Sequence, residues 1–254
     1  RSRWRGEAVG LRGLLSDDQR LAAWTRIIRR IADEHVGQGW NDYMFRLFRA
    51  VFTANPALSE EGGFIIKWLA SNYVDSALML LRRELDKQAR AESLRNLLED
   101  ISKHSSLVTR ARVRAMWGQA NGLQNCEIVD LTLERFPLVS PSGRPDDDYL
   151  DPNGVSQDLN AITAAAETIR KYAEQTRAHR TPMQSIDPAK LTFGDLHRSI
   201  RAVREVVSRY HVLLTGSCVV QWEPVPQFNT ISPFTEPWVT DPDSVRLLVV
   251  AADS

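Results

Sequence analysis

The sequence predicts an all-α fold: an up-and-down helical bundle with accessory short helices and an irregular or short-β C-terminal tail. Apolar residues recur at spacings of three and four in several long segments, which is the pattern of helix faces packed on a core. Capping residues precede these segments, and glycine or proline follows them. We expect residues 1–17 to form a flexible arm, 18–217 the bundle, and 218–254 a tail packed on it.

The first two predicted helices are separated by Gly37 and Gly39, which favour a helix end. Asp17 or Asp18 can cap the first helix. Its apolar face comprises Leu21, Trp24, Ile27, Ile28 and Ile31. The second starts near Trp40 and ends at Asn55-Pro56, with Met44, Phe45, Phe48, Val51 and Phe52 facing inward.

The third predicted helix is capped by Ser59 and is apolar on more than one side. Its apolar residues are Phe64, Ile65, Trp68, Leu69, Tyr73, Val74, Ala77, Leu78, Leu80, Leu81 and Leu85. Such a helix packs against neighbours on several sides. Ser93 then caps a short helix whose inward residues are Leu94, Leu97, Leu98 and Ile101.

In the second half of the chain, apolar spacing predicts further helices at 107–117, 123–136 and 162–179. Residues 137–154 are predicted to form a long surface loop, because the segment is dense in Pro, Gly and Asp. Thr192 and Asp195 form a capping-box pattern at the start of the last helix, which Gly216 closes. Its inward face is Leu196, Ile200, Val203, Val207, Tyr210 and Leu214. The tail contains two β-rich pieces, 218–222 and 245–250.

Composition narrows the classes of function. The 254 residues carry 32 basic and 32 acidic side chains, so only local basic patches can attract nucleic acid. The two cysteines have no metal-ligand spacing, no apolar run approaches the ~20 residues of a membrane span, and no signal peptide or Gly-rich phosphate loop is visible. We therefore expect a cytoplasmic protein without metal, cofactor or membrane contact.

The best candidate for chemistry is His179, at the end of the helical stripe 162–179 and in a run with Arg170, Lys171, Arg177 and Arg180. An imidazole there can transfer a proton, and it can equally cap the last carbonyls of the helix. The segment 110–114, with three arginines, is either an RNA-facing patch or a solvated face. Arg82, Arg83 and Asp86 form either a structural ion pair or part of a site.

Two segments resemble a known family. Tyr172-Ala-Glu-Gln-Thr-Arg-Ala-His179-Arg, followed by LTFGDLHRSIRAVREVVSRYHVLLTG at 191–216, is similar to the carboxyl half of HEPN-type proteins, in the AbiU-type abortive-infection branch. The aromatic helix ending in Leu81-Arg82-Arg83 fits that branch as well. The resemblance implies a helical bundle of phage defence or toxin–antitoxin type that forms a homodimer, binds RNA or nucleotide, and meets a protein partner from the same defence system.

The resemblance also implies site residues. His179 and Arg83 would be catalytic in a metal-independent endoribonuclease, with His179 handling the proton of the ribose 2′-hydroxyl and an arginine stabilising the phosphate. Arg82, Arg177, Arg180 and Tyr172 would bind RNA phosphate, while Asp86 and Glu174 would be structural or modulating.

The sequence departs from the family motif at Glu174, which stands where the family has its arginine before His179. A carboxylate there repels a phosphate. The alternative reading is therefore a non-catalytic helical interaction or sensor module built on the same bundle.

Overall fold

The computed structural model describes residues 15–55, 63–121, 130–131, 133–141, 143, 148–173, 192–218, 221–227 and 229–234. Helices account for 76% of the residues it describes, which confirms the all-α fold class. The α-helices are α1 (Asp17–Ala54), α2 (Gly63–Glu84), α3 (Leu94–Lys103), α4 (Arg110–Asn121), α5 (Pro152–Ala173) and α6 (Phe193–Thr215). The structure also contains two short strands, β1 (Leu138–Val139) and β2 (Tyr149–Leu150), and 3₁₀ turns at Ser105–Leu107 and Ser232–Phe234.

One continuous helix, α1, replaces the two helices predicted before Asn55, so the predicted break was wrong. A glycine that ends a helix adopts a left-handed backbone. Among the described residues that conformation occurs only at Gly143 and Gly216. Gly37 and Gly39 therefore stay helical, at a cost of about 1 kcal/mol each relative to alanine.

The described residues fall into two compact units. The first contains the described parts of 15–38 and 74–222, and the second those of 39–73 and 223–234. In the first unit α5 packs on α3 and α6, and α6 also packs on α4. The largest fully buried side chains of this unit include Trp24, Trp117 and Tyr210.

Helix α5 begins at Pro152, earlier than the predicted start near 162. Ile162, Ala166 and Ile169 are buried as the helical stripe predicts. The part of the predicted helix that leads to His179 lies outside the described residues.

Helix α6 confirms its prediction in detail. Thr192 and Asp195 form the reciprocal capping box, and Gly216 ends the helix with a φ of 67°. Every residue predicted to face inward on this helix is buried. Ser93 likewise caps α3 by accepting the backbone N–H of Asn96.

The segment 137–154 contains regular structure, which corrects the prediction of a loop throughout. β1 pairs antiparallel with β2, and the backbone N–H of Leu150 donates to the carbonyl of Val108 at 3.1 Å. The buried Leu150 anchors this pairing to the core, a long-range contact that local Pro and Asp content does not reveal. Gly154 lies so close to Pro137 that a Cβ would collide with the proline ring.

The second unit is held by aromatic and polar pairs. Phe45 stacks on Tyr73 with ring centroids 4.6 Å apart, and the Tyr73 hydroxyl donates to Asp42 at 3.0 Å. Phe234 packs edge-on against Phe48 at 5.3 Å. The described residues of 218–222 form no strand and are irregular, which is one of the two forms predicted for the tail, and 245–250 lies outside the described residues.

The first turns of α2 are more exposed than predicted. Phe64 is 76% and Trp68 58% exposed, and Ile65 is exposed too. Met44 of α1, also predicted to face inward, is exposed as well. Apolar periodicity shows which residues share a face, but the number of neighbours depends on tertiary packing. Judged by length and composition alone, α2 is the one described helix that could cross a membrane, and such a helix on its own is a weak indication. Ser59, its predicted cap, lies outside the described residues.

Candidate arginine cluster at the end of helix α5

Arg82 lies in the last turn of α2 and reaches the last turns of α5. Its side chain lines a narrow opening of about 10 Å³ together with Ile169 and Arg170. Leu78 and Leu81 of α2, Leu85 directly after it, and Ala166 of α5 add apolar side chains to that opening. The packing of α2 thus places one exposed guanidinium beside the basic end of α5.

A second, larger cleft adjoins the first at Ile169, which lines both. It has a volume of about 410 Å³ and lies between α5 and α6. Helix α5 contributes Ala165 and Ile169, and α6 contributes Asp195, Arg198, Ser199, Arg201, Ala202 and Glu205. Arg82, Arg170, Arg198 and Arg201 therefore surround the final turns of α5; we call them the arginine cluster.

The members of the arginine cluster differ in their partners. Arg170 donates to Glu167 at 3.1 Å, and Arg198 pairs with Asp195. The hydrogen bond from Arg170 is the main cause of a lowered pKa at Glu167. At Asp195 the main cause of the lowered pKa is the hydrogen bond from the Thr192 hydroxyl. Both acids are therefore firmly ionised at neutral pH.

Arg82 and Arg201 are the uncommitted cations of the cluster. Both are exposed, and neither forms a hydrogen bond or ion pair with any residue that the structure describes. A guanidinium has no neutral form at physiological pH, and its planar donors suit phosphate oxygens. These two groups are thus available to an anionic ligand.

Arg83, predicted to be catalytic, points to a different neighbour. Its guanidinium pairs with Glu34 of α1 at 2.8 Å. Asp86 instead accepts the backbone N–H of Gln88 at 2.8 Å. The structural pair predicted between an arginine and Asp86 is therefore corrected. Arg83 pairs with Glu34 of a neighbouring helix, and Asp86 serves a local turn.

The remaining predicted residues lie at or beyond the described end of α5. Tyr172 is half-buried in the last turn of that helix. Glu174, Arg177, His179 and Arg180 lie outside the described residues.

The arginines of α4 serve as ion-pair partners. Arg110 and Arg114 both donate to Asp130 at 2.8 Å, and Arg112 pairs with Asp17 at 3.3 Å. The hydrogen bond from Arg110 is the main cause of a lowered pKa at Asp130. These contacts favour the reading of 110–114 as a paired surface rather than an RNA-facing patch.

Two buried ionisable groups were missed by the sequence analysis. Glu84 is 1% exposed; one carboxylate oxygen accepts the backbone N–H of Leu94 at 3.1 Å, and the other has no hydrogen-bond partner in the described part of the chain. His35 is 0% exposed, packs edge-on against Trp222 at 5.9 Å, and has no partner for either ring nitrogen among those residues. The residue type and its position in the sequence do not reveal such burial, because it depends on the helix that covers the group.

The cleft residues of α6 were missed as well, although the sequence carries a signal for them. Arg198, Arg201 and Glu205 recur at helical spacing on the polar side of the predicted last helix. The described residues contain no group of three His, Cys, Asp or Glu side chains suited to a metal ion.

No protein-family model, no curated protein and no solved structure matches this chain, so its interpretation depends on the geometry of these residues.

Proposed function

We propose that this chain is a HEPN-like, cytoplasmic helical protein that binds RNA or nucleotide phosphate at the arginine cluster, in a bacterial defence or toxin–antitoxin role. The observation that carries the proposal is the meeting of Arg82 with Arg170 beside the α5–α6 cleft. Three helices contribute cations to one place in a chain whose formal net charge is zero. Such local concentration of arginine favours binding to a phosphate backbone.

The role of each arginine follows from its partners. Arg82 and Arg201 bind phosphate oxygens directly, because neither forms an ion pair with a described acid. Arg170 and Arg198 add positive potential while their carboxylate partners hold them in place. The apolar side chain of Ile169 lines both clefts.

Cleavage would add His179 to this cluster. The chain leaves the described part of α5 at Ala173, close in sequence to His179. In the proposed reaction His179 takes the proton of a ribose 2′-hydroxyl, which attacks the adjacent phosphate, and a guanidinium of the cluster stabilises the phosphorane. The ester bond to the 5′-oxygen then breaks as that oxygen takes the proton back from the His179 imidazolium, leaving a 2′,3′-cyclic phosphate and a 5′-hydroxyl.

The test is incubation of the purified chain with end-labelled single-stranded RNA in EDTA, followed by filter retention and gel analysis. We expect retention that falls in Arg82→Ala and stays unchanged in Arg135→Ala, an exposed arginine outside both clefts. EDTA-resistant cleavage that His179→Ala abolishes assigns the nuclease reaction. RNA that is neither retained nor cleaved by the wild-type chain overturns the proposal.

A second candidate function, a non-catalytic interaction module, is favoured by the exposed face of α2. Phe64, Ile65 and Trp68 share that face, and large apolar groups grouped on a surface mark association sites in many proteins. Sedimentation of the wild-type chain and of Phe64→Ser/Trp68→Ser tests it. Association that the double variant loses, together with absent RNA binding, favours this module over the RNA-binding function.

A further inference from the structure

One carboxylate stands among the cations of the α5–α6 cleft without a partner. Glu205 is exposed and lines that cleft, and it forms no hydrogen bond or ion pair with the residues that the structure describes. The other acid of the cleft, Asp195, is occupied by Thr192 and Arg198. A purely phosphate-binding surface gains nothing from a free carboxylate, because the charge repels the ligand.

The position of Glu205 relative to Arg201 gives this carboxylate a use. The two residues are one turn apart on α6, which brings their Cβ atoms to about 6 Å from each other on the same face. Arg offers only donors, and an ionised Glu only acceptors. A ligand that spans the pair must therefore present an anion and, a few ångströms away, a hydroxyl or amino donor.

A ribose phosphate has this arrangement. Its phosphate oxygens accept hydrogen bonds, and its 2′-hydroxyl can donate one; that hydroxyl is the group that distinguishes RNA from DNA. The apolar floor of the cleft, formed by Ala165, Ile169 and Ala202, suits the carbon face of the sugar. Ser199 is buried, and its hydroxyl proton is already donated to the carbonyl of Ala165 at 2.6 Å, so the exposed Glu205 is the better acceptor for the 2′-hydroxyl.

We infer that Glu205 determines specificity for ribose: it accepts the 2′-hydroxyl of a ribose whose phosphate Arg201 binds. The inference rests on the proposed function and names the chemistry that the same site selects. The ribose phosphate can belong to an RNA strand or to a free ribonucleotide, and the two sources share this recognition. A deoxyribose lacks the donor and leaves the carboxylate facing the ligand without compensation.

The experiment compares dissociation constants for four ligands. They are a single-stranded RNA, the DNA of matched sequence, adenosine monophosphate and 2′-deoxyadenosine monophosphate. The variants are Glu205→Ala and, as the matched control, Glu134→Ala, an exposed glutamate outside both clefts. Thermal melts of the variants establish that each is folded. Affinity for the mononucleotides separates a free ribonucleotide from an RNA strand as the source of the ribose.

We expect the wild-type chain to favour RNA over DNA by about tenfold or more, since a hydrogen bond to a charged group has that effect. Glu205→Ala should weaken RNA binding and strengthen DNA binding, so that the preference collapses, while Glu134→Ala retains it. An equal gain in affinity for both nucleic acids, or an unchanged preference, overturns the inference and leaves the arginine cluster standing. Absence of binding to any of the ligands by the wild-type chain overturns the proposed function itself.

Discussion

The buried carboxylate of Glu84, at the end of α2, accepts the backbone N–H of Leu94, the first residue of α3, at 3.1 Å. This contact joins the two helices beneath the surface pair of Arg83 and Glu34. Burial is the main reason that the pKa of Glu84 rises to about 7; the charge of Glu34 adds to the rise, while the Leu94 N–H and the charges of Arg83 and Arg30 oppose it. The protein therefore carries an interior acid that changes charge near neutral pH, one residue away from Arg83 and two from Arg82.

Glu84 makes stability decrease as pH rises. Its pKa is higher in the folded chain than the ordinary 4.5, so the folded state binds the proton more tightly. The free energy of unfolding should then fall by about 2 to 3 kcal/mol between pH 5 and pH 8 through this group. Urea unfolding of Glu84→Gln at both pH values should show that this part of the decrease is gone, while Glu134→Gln behaves as wild type. Equal pH profiles for Glu84→Gln and wild type would contradict the assignment.

His35 acts in the opposite direction. Burial, and then the charges of Arg204 and Arg83, lower its pKa to about 3, so the unfolded chain binds the proton first as pH falls. Between pH 7 and pH 5 the free energy of unfolding should drop by about 2 kcal/mol through this group. His35→Phe keeps an aromatic ring beside Trp222 and should remove that loss. Unfolding followed by tryptophan fluorescence measures it, and an unaltered acid sensitivity would count against the buried neutral imidazole.

Two glycines give opposite expectations for one substitution. Gly37→Ala places a methyl group in open space on a continuous helix and should stabilise by about 1 kcal/mol. Gly154→Ala drives a Cβ into Pro137 and should destabilise by about 1 to 3 kcal/mol. Urea unfolding of the pair provides its own control. A destabilising Gly37→Ala would argue for a helix break at that position.

Two tryptophans should differ just as clearly. Trp24 is 0% exposed, and its indole N–H donates to Asp100 at 2.8 Å, so Trp24→Ala should cost about 3 to 5 kcal/mol. Trp68→Ala, on the exposed start of α2, should change stability by less than about 0.5 kcal/mol. Denaturant midpoints measure both. A large loss in Trp68→Ala would mean that this face is covered in solution.

Local signals predicted much of the fold. The caps at Ser93 and Thr192, the stop at Gly216 and the buried stripes of α5 and α6 all depend on neighbours in sequence, and the structure confirms them. The failed predictions have different causes. Leu150 pairs beside Val108 through a long-range contact that no window of the sequence contains. Gly37 stays helical because glycine permits a helix end without requiring one.

The candidate site shows the same division. The resemblance implied that Arg82 binds RNA phosphate, and the structure places this residue beside Arg170. The acid that occupies Arg83 could not be predicted, because Glu34 comes from another helix. Arg201 and Glu205 lie on the polar face of α6, where a spacing of four residues between opposite charges is equally typical of a solvent-exposed helix surface.

The salt dependence of RNA affinity tests the central claim most directly. Each phosphate contact in a single-stranded complex contributes about 0.7 to the slope of log affinity against log salt. The account predicts that Arg82→Ala/Arg201→Ala binds single-stranded RNA more weakly and lowers the slope by about 1.4, while Arg135→Ala keeps the wild-type slope. A wild-type slope in the double variant, or an equal decrease in Arg135→Ala, would contradict RNA binding at the arginine cluster.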